Sequence, residues 1–160
     1  MIIKKHDIEQ SKDLDDLLLD LIEKYYPNYD DDSYHNLDVV TQTFVLIIDA
    51  DGQINNGGII QFIDNGTGNR FHETIEAAKR INNAGLANTL TQATTQFPNG
   101  QIPKDWNYRR ALWDELCEQH EEDEAWNNFW TKLDEWYYSN TNTIYQNLID
   151  YLKTNATLGN

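Results

Sequence analysis

Apolar residues recur along this chain at helical spacing. In segment 13–26, Leu14, Leu17, Leu18, Leu21 and Ile22 share one face, which is the period of an amphipathic helix. Ser11 offers an N-cap, and Pro27 sets the far limit because the residue before a proline is pushed out of helical geometry. An acidic turn follows at 29–33, with Ser33 as the next cap. Segment 37–48 carries two opposing signals. Its β-branched run, Val39 to Ile48, favours strand by propensity, whereas Leu37, Val40, Phe44, Ile47 and Ile48 keep the spacing of a buried helix. The spacing decides for helix, ending at Gly52, with a short helix starting at Asn55 and running through Asp64.

Beyond the Asn65-Gly66-Thr67-Gly68 turn, the pattern predicts five more helices. They cover 71–83 (stopped near Gly85), 86–97, 106–120, 123–138 and 143–153. Trp126, Phe129, Trp130, Leu133 and Tyr137 recur at helical spacing and read as core. No repeat or linker composition divides the chain. The expectation is one all-α domain over 1–160, with about seven to eight helices and an acidic N-terminal helix over 13–26.

Charge changes this picture, because it is segregated. Residues 1–51 carry 13 acidic and 4 basic side chains, 52–113 carry 4 and 6, and 114–160 carry 10 and 2, within a formal net charge of −15. Two acid-rich segments flank a near-neutral middle. The 39% apolar and 12% aromatic content, with five Trp and nine Tyr, argues for a folded chain in spite of that charge. Such a surface repels nucleic acid and anionic membrane, since phosphate binding needs Lys and Arg. The partner it suits is basic: a DNA-binding protein such as a transcription factor, or a cationic toxin. One cysteine, Cys117, and no apolar run of spanning length fit a soluble cytoplasmic protein.

The acids also have spacing. Asp13, Asp16, Asp20 and Glu23 fall at i, i+3, i+7 and i+10, opposite the leucines; Asp114, Glu118, Glu121 and Glu122 fall at i, i+4, i+7 and i+8. Side chains three and four apart on a helix lie roughly 5–6 Å from each other, the scale of successive phosphates on one strand. Like charges there oppose helix formation, so local stability does not favour the stripes. Both are expected to be exposed and to frame a common surface. A solvated acidic face is the bland alternative.

Catalytic and metal patterns find little. Asp49-Ala-Asp51-Gly52 opens like a calcium loop, but the positions that need Gly and Glu hold Ile54 and Ile60. Cys117 with His120 lacks the remaining ligands of a structural zinc, and acidic neighbours raise a thiol pKa. No cofactor or metal is expected, and Arg109-Arg110 is expected to pair with the acidic helices. An enzyme with a carboxylate-based site is the third reading, after the two binding ones.

The least generic stretch is Asn55-Asn56-Gly57-Gly58-Ile59-Ile60-Gln61-Phe62. Two helical glycines cost about 1 kcal/mol each relative to alanine. The offset expected is close approach of another helix backbone, with Gln61 buried and hydrogen-bonded; the alternative is an anion cradle at a helix N-terminus. This run resembles the NNGGxxQF signature of a bacterial family, domain of unknown function 4375, that includes a DNA-mimic protein. Ala84-Gly85, Phe97-Pro98, Leu133-Asp134-Glu135-Trp136-Tyr137 and Tyr151-Leu152 are similar to its further elements, over about residues 35–155. The resemblance implies an all-helical fold, Asn55, Asn56, Gly57, Gly58, Gln61 and Phe62 as structural signature residues, and no established catalytic residue.

Overall fold

The computed structural model describes residues 2–9, 14–26 and 34–157. Asp13, the two serine caps and the acidic turn at 29–33 lie outside the described residues. The rest forms seven α-helices: α1 (Lys5–Glu9), α2 (Leu14–Tyr25), α3 (Val39–Asp64), α4 (Phe71–Arg80), α5 (Ala84–Thr94), α6 (Trp106–Gln119) and α7 (Glu124–Asn155). Two short 3-10 turns, Gly66–Arg70 and Pro98–Gly100, link them. The fold is all-α, and extended pairing among the described residues is limited to one bridge between Lys4 and Thr157.

Helix α3 is the axis of the core. Asp38 starts it, its Oδ1 accepting from the N–H groups of Val40 and Thr41 at 3.0 and 3.1 Å, which satisfies donors that a helix start leaves free. Almost every residue from Thr41 to Ala50 is buried. A helix covered on all sides draws its stability from packing, so β-branched residues cost it little. Helices α4 and α7 pack against it. Helix α7 has 32 residues, about 48 Å at 1.5 Å per residue, and runs past most of the molecule. Its N-terminal half meets α6 through Trp113, which stacks on Trp126 at 5.4 Å and meets Trp130 edge-on at 5.4 Å. Its C-terminal half receives α1 and α2.

Four expected boundaries are corrected. Gly52 does not end its helix: it is exposed, with open space where a Cβ would stand, and burial of Ile54 and Ile59 holds the chain helical through it. The break falls at Gly57–Gly58, where φ is −172° and then +78°. Helix α4 stops at Arg80 because Asn82 turns left-handed at φ 57°. Asn83 then caps α5, its Oδ1 accepting from Leu86 N–H at 2.8 Å, so Gly85 lies inside α5 under the Trp136 ring. The two expected C-terminal helices are one. Across Ser139–Asn142, Asn140 and Thr141 donate back to the Trp136 and Tyr137 carbonyls at 2.7 and 3.1 Å, while Tyr137 and Ile144 on either side are buried.

Candidate interaction surface

The signature marks a break in α3, and α7 bridges it. In a regular helix the Ile54 carbonyl would serve Gly58 N–H, and Ile59 N–H would reach Asn55. The Gly57–Gly58 backbone removes that geometry. Tyr138 Oη donates to the Ile54 carbonyl at 2.7 Å, and Asp134 Oδ1 accepts from Ile59 N–H at 2.8 Å. Asp134 and Tyr138 are one turn apart on α7, so a single helix face supplies both partners. Asp134 acts as an N-cap donated by another helix. Burial raises its carboxyl pKa, with the Ile59 hydrogen bond opposing.

This corrects the close-approach expectation. What lies over Gly58 is the Asp134 side chain rather than a helix backbone; a Cβ there would stand 2.5 Å from Oδ2. The anion at the helix start is the protein's own. Gln61 is half-buried, with its side chain folded onto Gly57. Phe62 is buried and stacks on Phe71 at 5.0 Å, whereas Asn55 and Asn56 are exposed.

Other acids also turn inward. Asp51 accepts from Tyr137 Oη at 2.6 Å and Tyr145 Oη at 2.7 Å, one on each oxygen. Burial first, and then Asp51, push both phenol pKa values above the ordinary 10. Asp49 is buried and accepts from Tyr26 Oη at 2.6 Å. Sequence reasoning missed Tyr137, Tyr145 and Asp134 as polar anchors; their helical spacing suggests only apolar packing.

The arginines do not pair with the acidic helices. Arg109 is wholly buried and binds carbonyls: Nε donates to Ile63 at 2.6 Å, Nη1 to Pro103 and Lys104 at 2.7 and 3.0 Å, and Nη2 to Asn65 at 2.7 Å. Both terminal nitrogens also reach Asn69 Oδ1 at 3.1 Å. The end of α3 with its cap Asn65 and the loop before α6 aim backbone carbonyls at one point, the 3-10 turn adds the Asn69 side-chain oxygen, and a planar five-donor fork satisfies them. Burial lowers its pKa, with the charges of Asp64 and Asp105 opposing. Arg110 is exposed and lies 5.6 Å from the Trp106 ring. The Cys117 thiol pKa is raised by burial first, then by Asp114 and Asp64.

The stripe acids stand elsewhere. Asp16, Asp20 and Glu23 are exposed on α2, opposite the buried Leu17, Leu18 and Leu21. Asp114 and Glu118 are exposed on α6. Glu121 and Glu122 are exposed too, but they sit in the turn after α6, because the helix ends at Gln119. There they lead into Asp123, the N-cap of α7, whose Oδ1 accepts from Ala125 and Trp126 N–H at 2.9 and 3.1 Å. Tyr145, which lines the same pocket as α2, and Trp126, which stacks on α6, are 19 residues apart on α7. That is about 28 Å of axial rise. The stripes therefore lie along opposite halves of α7.

No helix among the described residues is long and apolar enough to cross a membrane. A family model described as DMP19-like protein matches residues 35–155, most of the chain. No curated protein and no solved structure matches it.

Proposed function

Because the chain belongs to the DMP19-like protein family, we propose that it is a non-catalytic interaction protein that presents carboxylates to the basic surface of a DNA-binding protein, as a DNA mimic. The observation that carries this reading is the division of labour among the acids. Asp49, Asp51 and Asp134 are hydrogen-bonded inside the fold, while seven described stripe carboxylates are exposed on elements that meet opposite halves of α7. Along α2, Asp16, Asp20 and Glu23 rise by about 6 and 4.5 Å per step, comparable to phosphate spacing along a strand. Along α7 the residues that meet these two regions, Trp126 and Tyr145, are separated by about 28 Å of axial rise, of the order of one helical turn of B-DNA, about 34 Å. A basic groove that contacts phosphates on both sides of a turn would meet both stripes together. Competition for its Lys and Arg would then be steered by charge and weakened by salt.

The test has two stages. Immobilised protein is exposed to lysate of its native host, and retained proteins are eluted with salt and identified. Stoichiometric protein is then added to the complex of a retained DNA-binding protein with its DNA, and DNA release is followed by mobility shift. Release is expected, and it should weaken when Asp114, Glu118, Glu121 and Glu122 become Asn or Gln, with circular dichroism unchanged. DNA that stays bound defeats the mimic reading. A retained cationic toxin that loses its activity would replace it with the immunity-type alternative.

A further inference from the structure

Between α2, α3 and α7 lies an open pocket of about 330 Å³. Leu18, Leu19 and Ile22 of α2 and Ile48 of α3 form its apolar walls. Its polar lining comes from Asp15, Asp51 and Tyr145, two carboxylates and a phenol whose hydrogen is already donated to Asp51 Oδ2. Each Asp51 oxygen accepts one tyrosine hydrogen and keeps a further lone-pair site. The pocket therefore offers acceptors at its polar end, with no cation among the described residues that line it. At the rim, Asp15 is exposed and Leu19 is 58% exposed, an apolar side chain beside the acidic face of α2.

We propose that this pocket receives an arginine side chain of a basic partner protein, with the guanidinium between Asp15 and Asp51 and the aliphatic stem along Leu18, Leu19 and Ile22. The inference rests on the docking reading above and names the anchor. Charge complementarity selects a cation, and the apolar walls select one with a long stem. Arginine suits it better than lysine. Its planar fork can serve two carboxylates at once, it lies flat on a tyrosine ring, and it sheds water more readily than an ammonium. Burial and Asp51 raise the Tyr145 hydroxyl pKa, and Asp15 adds to the shift, so the two carboxylates act on one locus. Buried arginines are also frequent energetic anchors in protein interfaces.

The test is an NMR titration of the full chain with N-acetyl-arginine methylamide, its lysine counterpart and its uncharged citrulline counterpart. Saturating shifts should concentrate at Leu18, Ile22, Ile48 and Tyr145. Asp15→Asn should weaken arginine binding about tenfold. Lysine should bind more weakly than arginine, and citrulline should leave the pocket unshifted. The quadruple variant at the far end of α7 should titrate like the parent. Shifts spread over all exposed acids, or equal responses to arginine and citrulline, overturn the pocket; equal responses to arginine and lysine overturn the guanidinium. If Asp15→Asn retains basic partners as the parent does, with the pocket unshifted, the inference fails and the docking reading stands. If arginine fills the pocket but the chain retains no basic protein, the docking reading fails and the partner's arginine with it.

Discussion

Replacing Gly58 by alanine tests the join between the signature and α7. At φ +78° and ψ −177° the backbone occupies a region nearly closed to side-chain-bearing residues, at a cost of about 1–3 kcal/mol. The new Cβ would also stand 2.5 Å from Asp134 Oδ2, so the carboxylate must swing away and Ile59 N–H loses its cap, about 1 kcal/mol more. Reduced freedom of the unfolded chain returns about 0.4–1 kcal/mol. The net expectation is about 1–3.5 kcal/mol of destabilisation, or a melting temperature lower by about 2–14 °C for a chain of this size. Urea unfolding followed by tryptophan fluorescence measures it. A cycle with Asp134→Ala isolates the mechanism, because contacting residues are not additive: that change should cost clearly less in the Gly58→Ala background than alone. A Gly58→Ala variant within about 0.5 kcal/mol of the parent, or a fully additive cycle, refutes the account.

Arg109→Met should destabilise the fold by about 3 kcal/mol or more, since several buried carbonyls lose their donor together; Arg109→Lys should recover only part, and urea unfolding ranks the two. The tyrosines set an alkaline limit. Tyr25 is pushed up to about 12, by burial first and then by its bond to Asp7, and Tyr137 and Tyr145 are also raised. Their folded pKa values exceed the unfolded value of about 10, so above pH 10 the folded state holds more protons and stability falls as pH rises. Tyr137→Phe and Tyr145→Phe should flatten that fall in unfolding curves between pH 9 and 12.

Much of the helical framework is legible in the sequence because spacing of apolar residues records which face is buried. Segment 39–48 is the clearest case: its propensity favours strand, yet spacing places Phe44, Ile47 and Ile48 in the core, where packing overrides propensity. The misreadings share one cause, which is that local signals are silent about tertiary partners. Gly52 and Gly58 look alike as letters, but only Gly58 faces a carboxylate from 76 positions away. Ser139–Asn142 reads as a break because these residues favour turns, and the buried residues flanking it hold the helix through. Arg109 reads as an ion-pair partner in an acidic chain. That the end of α3 and the loop before α6 turn their backbone carbonyls toward it has no counterpart in spacing or composition.

Total charge is a poor guide to the candidate surface, since part of it is spent inside the fold, and some exposed acids have a local reason to exist. Asp16 lies in the first turn of α2, and Glu121 and Glu122 precede α7; the positive end of a helix dipole favours acids at such places. Glu23 and Glu118 are different. Glu23 lies near the C-terminus of α2 and Glu118 near that of α6, which has no basic residue in its last turn. A carboxylate there opposes the helix dipole and repels its neighbours at i−3 or i−4. If these two are present for solubility alone, neutralising them should raise stability and change nothing else. If they belong to a docking array, Glu23→Gln with Glu118→Gln should raise the melting temperature at low salt while weakening retention of the basic partner. Both shifts should shrink as salt screens them. Stability that rises with partner retention unchanged would remove these two carboxylates from the array and leave its proposed phosphate spacing broken at both ends.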